Sequence, residues 1–240
     1  RLDLLGKAIV YGKKLMAFTI DANVKLLATS FKYIKKELFI NLMEKVLNKN
    51  KIFFNEIAKI YDNRIFVRYL TNFQLKMLRI IKPGKNSKIL DIGCGTGNLL
   101  YLLEKQNREY KLYGIDISEE MLKIARKKLK KAKLKLQSAE SLDFKDNYFD
   151  YIFSTEAFHH YADYGLIMKN FNKSLKENGK LIVLDFDFGF LLNKIFHLIE
   201  PGNNKMHSAL EFKKLFKQHG FKNIMQKRIN MLLLLTIGEK

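Results

Sequence analysis

The sequence predicts an α/β protein, a doubly wound and mostly parallel sheet of seven strands, preceded by a helical extension. Three observations carry this expectation. From Pro83 onward, short apolar runs alternate with stretches of helical periodicity, the texture of a parallel sheet covered on both faces. The first such run, "KILDIGCGTGNLL" from Lys88 to Leu100, passes from strand through three alternate glycines into helix. Before Pro83 the chain reads as helical throughout, with apolar residues returning at three- and four-residue steps.

Taken in order, the extension contains an apolar stripe of Phe31, Ile34, Leu38, Leu42 and Val46, widened by Phe39, Met43 and Leu47 and opposed by lysines. That spacing predicts an amphipathic helix. Another is expected over Leu4 to Met16, and a third from about Asn55 to Ile81, where Pro83 and Gly84 end the pattern. The expected strands are "KILDIG", "KLYGID", "KLKLQS", "FDYIFS", "GKLIVLDF", "FKNIMQK" and "INMLLLLTI", with helices near 97–107, 119–130, 163–177 and 208–219. The last two strands are separated only by residues around Ile229 and Asn230, which predicts an antiparallel hairpin at one edge. The expected division is an extension over 1–52 and an α/β domain over 53–240.

A chain of 240 residues buries a full core without staples. Its single cysteine excludes an internal disulfide and a cysteine-rich zinc module, so the cytoplasm is the expected compartment. The longest wholly apolar run, "MLLLL" from Met231, falls far short of the ~20 residues of a spanning helix. Asp3, Lys13 and Lys14 interrupt what would have to be the apolar core of a signal peptide. A formal charge of +20 attracts nucleic acid or anionic membranes in general. Here, however, seven arginines stand against 37 lysines spread over most of the chain, a pattern of solvated faces that disfavours nucleic acid as a partner. No His, Asp and Cys grouping has metal-ligand spacing, so no metal is expected.

The glycine loop sits where ligands of open α/β sheets bind, outside the carboxyl end of a strand. Gly93, Gly95 and Gly97 fall at i, i+2 and i+4, whereas a dinucleotide fingerprint wants its third glycine at i+5, which is Asn98, and a P-loop wants a Gly-Lys-Ser/Thr ending that is absent. Asp116, 23 positions past Gly93 at the end of the second strand, is placed to accept from ribose hydroxyls. A ribose without an obligatory pyrophosphate fits S-adenosylmethionine, with its amino-acid tail against bare glycine backbone and Asp91 facing its ammonium.

The blocks "FNEIAKIYD", "ILDIGCGTG", "LYGIDISEEMLKIARKK", "AESLDFKDNYFDYIFSTEAFHHY", "SLKENGKLIVLDF" and "LFKQHGFKNI" then follow in family order and spacing from Phe54 to the last residue. This stretch resembles the class I S-adenosylmethionine-dependent methyltransferases, in particular the small-molecule group of ubiquinone/menaquinone C-methyltransferases. The resemblance implies a Rossmann-like methyltransferase fold with S-adenosyl-L-methionine as cofactor and S-adenosyl-L-homocysteine as product. It implies that Asp91, Gly93, Gly95 and Gly97 line the methionyl end, that Asp116 takes the ribose, and that Ile117 packs on the adenine. Ala139 and Glu140, with Leu142 beside them, fall in the block that reads the adenine edge. Relatives carry Asp where this chain has Ser138, a weaker neutral acceptor, so Ser138→Asp is expected to tighten cofactor binding.

Methyl transfer from a sulfonium needs positioning and exclusion of water more than any obligatory catalytic group. A base is required only where the acceptor must lose a proton. The loop "STEAFHHY" brings together Ser154, expected among the cofactor-facing residues, and Glu156, His159 and His160 as candidate catalytic groups. Tyr61, Phe186 to Phe196 and His207 are expected as walls of an apolar or aromatic acceptor pocket. Ser208 is the expected N-cap of the helix after His207. For residues 1–50 three roles compete: a lid over the pocket, a homodimer element, or a peripheral contact with an anionic membrane. A non-catalytic cofactor-binding module, and less strongly an RNA methyltransferase, stand as alternatives to a small-molecule enzyme.

Overall fold

The computed structural model describes residues 41–58, 65–107, 109–189 and 205–240. The chain divides into two compact units, Arg1–Lys45 and Val46–Lys240, and the second contains the sheet. The helix expected over Leu4 to Met16, Tyr61 and the stretch 190–196 lie outside the described residues.

In the second unit residues 46–58 form helix α1, which fills the gap expected between a helix ending at residue 47 and one starting at Asn55; Phe31, Ile34, Leu38 and Phe39 of the expected stripe lie outside the described residues. Helix α2 spans Ile65–Ile81 and stops at the dipeptide Pro83-Gly84, as its breaker chemistry dictates. Strand β1 (Lys88–Ile92) leads through the glycine turn into α3 (Asn98–Gln106), then β2 (Lys111–Asp116), α4 (Glu119–Lys128) and β3 (Lys133–Leu136). A single 3-10 turn at Ala139–Ser141 precedes β4 (Phe149–Thr155), and a second at Phe158–His160 precedes α5 (Tyr164–Ser174). Strand β5 (Leu175–Phe186), α6 (Ala209–Gln218), β6 (Lys222–Arg228) and β7 (Leu233–Glu239) complete the order. Ser118, Asp163 and Ser208 cap α4, α5 and α6 by accepting from Met121, Leu166 and Glu211 backbone N–H groups, and Ser208 and Glu211 close a full capping box.

Helix α5 ends three residues sooner than its periodicity predicts. Leu175 turns extended and fully buried to pair with Phe149, and the ladder then slips so that Tyr151 meets Lys180. Asn178, at φ 61°, supplies a left-handed kink just before Gly179, inside the slipped stretch.

The sheet runs β3-β2-β1-β4-β5-β7-β6. The first five strands are parallel, and β7 pairs antiparallel with both β5 and β6. The predicted hairpin is therefore present, but its second strand lies inside the sheet and its first forms the edge. Alternate residues feed two cores. Ile89, Phe153, Ile182, Leu184 and Leu235 pack with Leu99, Leu103, Leu122 and Met77 on one face. Leu90, Ile92, Ile152, Val183 and Leu234 pack with Ile167, Phe171, Phe212 and Phe216 on the other. Helices thus cover both faces, and the strand order reverses between β1 and β4, which opens a crevice at the carboxyl ends of those strands.

Candidate functional site

The turn after β1 is built for close approach. Gly93, Gly95 and Gly97 hold φ of 70°, 51° and 79°, a region that costs other L-residues about 1–2 kcal/mol each. Gly93 and Cys94 N–H groups both donate to the Ile115 carbonyl at 2.9 Å, and Gly97 N–H to that of Cys94 at 2.8 Å. A Cβ on Gly93 would stand 2.7 Å from the Ala157 Cβ, whereas one on Gly95 would meet nothing within 4 Å. Gly95 therefore presents its backbone to open space. The same turn is tied to β2, since Asp116 Oδ2 accepts from Gly95 N–H and Oδ1 from Ser118 N–H, both at 2.8 Å.

Above the turn lies a cleft with about 660 Å³ of free space, part of it open to solvent. Gly93, Gly95 and Asp116 form its base. Ile117, Met121 and Ala139 give one apolar wall, Glu140 and Gln137 its polar rim, and Thr155, Glu156, Ala157, His160 and Tyr161 the side toward β4, with Asn50 and Phe54 contributed by α1. A smaller recess shares Gly93, Gly95, Thr155 and Glu156 with the cleft and adds Asp91, Thr96, Asn98 and, from α2, Thr71 and Gln74.

The electrostatics are dominated by buried acids. Asp91 is buried, its Oδ1 has no hydrogen-bond partner, and burial followed by the charge of Asp116 pushes its pKa well above the usual carboxylate value. Asp116 is also raised by burial, while the Ser118 and Gly95 N–H groups pull it back. Glu156 holds a left-handed φ of 51°, its N–H donating to Leu184 O at 2.8 Å. Its Oε2 accepts from Gln74 Nε2 at 2.9 Å, and its Oε1 is buried without a partner. Burial pushes its pKa to about 8 against the Gln74 hydrogen bond, with Asp185 and Asp91 raising it further and His159 lowering it. Strained backbone together with a perturbed acid is the pattern of a working site.

The two histidines stand in different surroundings. His159 is buried, its backbone N–H donating to Asp185 Oδ2 at 2.9 Å and its ring Nδ1 lying 2.6 Å from Oδ1. His160 lines the cleft, its ring 3.9 Å centroid to centroid from His159 and edge-on to Phe54 at 4.9 Å. Asn50 Nδ2 donates to the His160 carbonyl at 2.7 Å and so ties α1 to this loop.

Several expected residues stand elsewhere. Ser154 is fully buried with its Oγ 3.0 Å from the Tyr161 hydroxyl, which donates to Ile92 O at 3.1 Å, so the hydroxyl is spent inside the core and does not reach the cleft. Ser138 faces a neighbouring groove with Ile117 and Ser141, and its Oγ is hydrogen-bonded to Glu140, whose other oxygen accepts from Ala162 N–H at 2.9 Å. An aspartate at 138 would press a carboxyl against Glu140, so tighter binding by Ser138→Asp requires Glu140 to move. His207 is outside the cleft, boxed by Tyr164 at 4.4 Å, Phe212 at 5.1 Å and Phe158 at 5.7 Å between ring centroids. Burial and then Lys205 push its pKa down to about 4, so it is neutral at physiological pH. Phe186 is half-buried, with its ring 5.9 Å from that of His159.

Gln74, Asp185 and Asn50 were not anticipated from the sequence. Each is a buried polar side chain on an otherwise apolar helix face or strand, and that misfit is the signal that could have revealed them. Among the described residues no His, Cys, Asp and Glu group could hold a metal, and no helix is long and apolar enough to cross a membrane.

Strand order, the reversal between β1 and β4, and a glycine turn tied to an acid at the end of β2 define a doubly wound α/β protein with a ligand crevice at its switch point. The chain belongs to the methyltransferase domain family, whose model matches residues 83–231. A demethylmenaquinone methyltransferase of Thermotoga maritima is 31% identical over 135 residues, covering 55% of this chain and 59% of that protein's length. A Haloferax volcanii methyltransferase solved with the Trm112 methyltransferase activator superposes with a TM-score of 0.70 at 18% identity, over 78% of this chain and 96% of that one. Haemonchus contortus phosphoethanolamine N-methyltransferase 2, solved in complex with S-adenosyl-L-methionine, gives 0.59 at 23% identity over 65% of this chain and 38% of that one. Those two likenesses concern the fold.

Proposed function

We propose that this chain is the S-adenosylmethionine-binding domain of a methyltransferase acting on a small apolar or aromatic acceptor, quinone-like in shape. The observation that carries the reading is the buried, unpartnered Asp91 Oδ1 opening on the same glycine turn that Asp116 anchors. A cationic amino-acid tail answers the orphaned acid, and bare backbone at Gly95 leaves room for it. Asp116 retains lone pairs beyond its two N–H bonds for ribose hydroxyls, and Ile117, Met121 and Ala139 make a slot apolar enough for a purine.

The bound cofactor supplies a methyl group already activated on a sulfonium. The chain's own residues bind, orient and exclude water. Tyr161 and Ala157 close the floor of the cleft behind Gly93, while Phe54 and His160 form its acceptor-side wall. Where the acceptor loses a proton, His160 is the cleft-lining imidazole suited to take it, with His159 held behind it by Asp185 as a positioning residue.

Isothermal titration with S-adenosylhomocysteine and transfer of labelled methyl to a short-chain demethylmenaquinone test the reading; absence of binding would sink it. With an acceptor that is methylated, His160→Ala is expected to lower turnover at least ~100-fold, the usual size of acid–base assistance, while S-adenosylhomocysteine affinity holds. Near-normal turnover in both His159→Ala and His160→Ala would remove proton transfer from this pair.

A further inference from the structure

The recess beneath the cleft contains two acids with unmet hydrogen-bonding capacity. Asp91 comes from the end of β1 and Glu156 from the end of β4, neighbouring strands, and each has one buried oxygen without a partner. Gln74 fixes Glu156 from the α2 side, and a left-handed backbone aims the side chain into the wall common to recess and cleft. In a chain of formal charge +20, no lysine or arginine among the described residues lines either space. Acidic groups are thus gathered where a ligand must enter, and the cation set against this lining is Lys128, whose Nζ donates to Asn98 Oδ1 at 2.6 Å and Thr96 Oγ1 at 3.4 Å.

We propose that Asp91 and Glu156 form a paired-carboxyl receptor for one cationic group of the ligand, and that entry of that cation expels to solvent a proton held by Glu156 in the free protein. The inference rests on the S-adenosylmethionine reading, in which the amino group of the methionyl tail is that cation. Two carboxyls facing one space do not both ionise readily: burial and the charge of Asp116 raise Asp91, and burial with the charges of Asp185 and Asp91 raises Glu156. The groups that face Glu156 are Gln74 from α2, Asp91 from β1, Asp185 from β5 and His159 from the 3-10 turn at Phe158–His160; of these Gln74 and His159 favour the carboxylate, and the two aspartates oppose it. With the Glu156 pKa raised to about 8, the acid form prevails at neutral pH. A cation binds the carboxylate, so affinity must rise with pH up to that value and level off above it. The proton leaves as a hydrogen ion, and no bond of the ligand is made or broken.

The experiment is calorimetric titration of the whole chain with S-adenosylhomocysteine at pH 6, 7 and 8, in two buffers of different ionisation enthalpy. Linkage to one group titrating near 8 predicts that Kd falls about tenfold between pH 6 and 7 and about fivefold between pH 7 and 8. Glu156→Gln is expected to release about one proton fewer than the parent chain at pH 7 and to flatten that slope, since its amide carries no exchangeable charge. As a ligand without the amino-acid tail, 5′-methylthioadenosine is expected to bind without proton release. Equal proton counts and slopes in the parent and Glu156→Gln would overturn the proposal. Infrared difference spectra of the free proteins give a ligand-independent reading: loss of carboxylic-acid absorption in Glu156→Gln at pH 7 supports the held proton, and unchanged absorption refutes it. Failure of S-adenosylhomocysteine to bind at any pH, with the acid absorption lost as expected, would overturn the donor reading alone.

Discussion

Gly93→Ala is expected to lower the melting temperature by about 5–15 °C and to abolish measurable binding of S-adenosylhomocysteine. The left-handed φ of 70° costs an alanine about 1–2 kcal/mol. The new methyl would also stand 2.7 Å from Ala157 Cβ, an overlap that neither rigid partner can relieve without moving the loop after β4. Overpacking of this kind costs about 1–3 kcal/mol more, and each kcal/mol lowers the midpoint of a domain this size by about 2–4 °C. Because Ala157 lies next to Glu156 and three residues before His160, the distortion reaches both sides of the cleft. Differential scanning calorimetry and isothermal titration check the two parts; a fully stable variant with intact binding would mean that the turn does not have this tight contact.

Asp116→Asn should weaken S-adenosylhomocysteine binding by at least ~30-fold, from the loss of hydrogen bonds to a charged group worth about 1.5–3 kcal/mol each. The amide retains one acceptor. Whichever way it is turned, its NH2 then faces either the Gly95 or the Ser118 N–H, two donors against each other. The variant therefore injures the turn as well as the ribose contact. Comparison with adenosine, which has the ribose but no amino-acid tail, separates these losses: a ribose contact weakens both ligands, and a purely local turn defect weakens mainly the tailed one.

The sheet was legible because most strands of the parallel set are short apolar runs bounded by polar residues, the alternating KLKL of β3 at the exposed edge being the exception, and because helices with a clear stripe separate most of them. The resemblance to class I methyltransferases was legible in "ILDIGCGTG" and the blocks that follow, and the family match over residues 83–231 agrees with it. Helix ends were less so: nothing local announces that Leu175 will leave α5 to pair with Phe149, since that choice is made by a strand 26 positions away. Nor does periodicity reveal which partner a polar residue finds. Ser154 and His207 have the right composition for a pocket, yet tertiary packing gives one a tyrosine hydroxyl and the other an aromatic box. Gln74 escaped notice for the converse reason, that a glutamine within a helical stripe reads as tolerated when its side chain in fact holds Glu156.

The placement of β7 has a consequence for the order in which the domain comes together. Among the described residues strand β6 has no sheet neighbour other than β7, and β7 in turn reaches across some fifty residues of chain to β5. The edge can therefore close only after the strand that follows it in sequence has docked, a late, long-range step that loop-closure entropy makes slow. A chain interrupted before Leu233 would lose two strands instead of one and would expose the side of β5 that Leu233 to Leu235 cover, leaving an unprotected ladder edge open to aggregation.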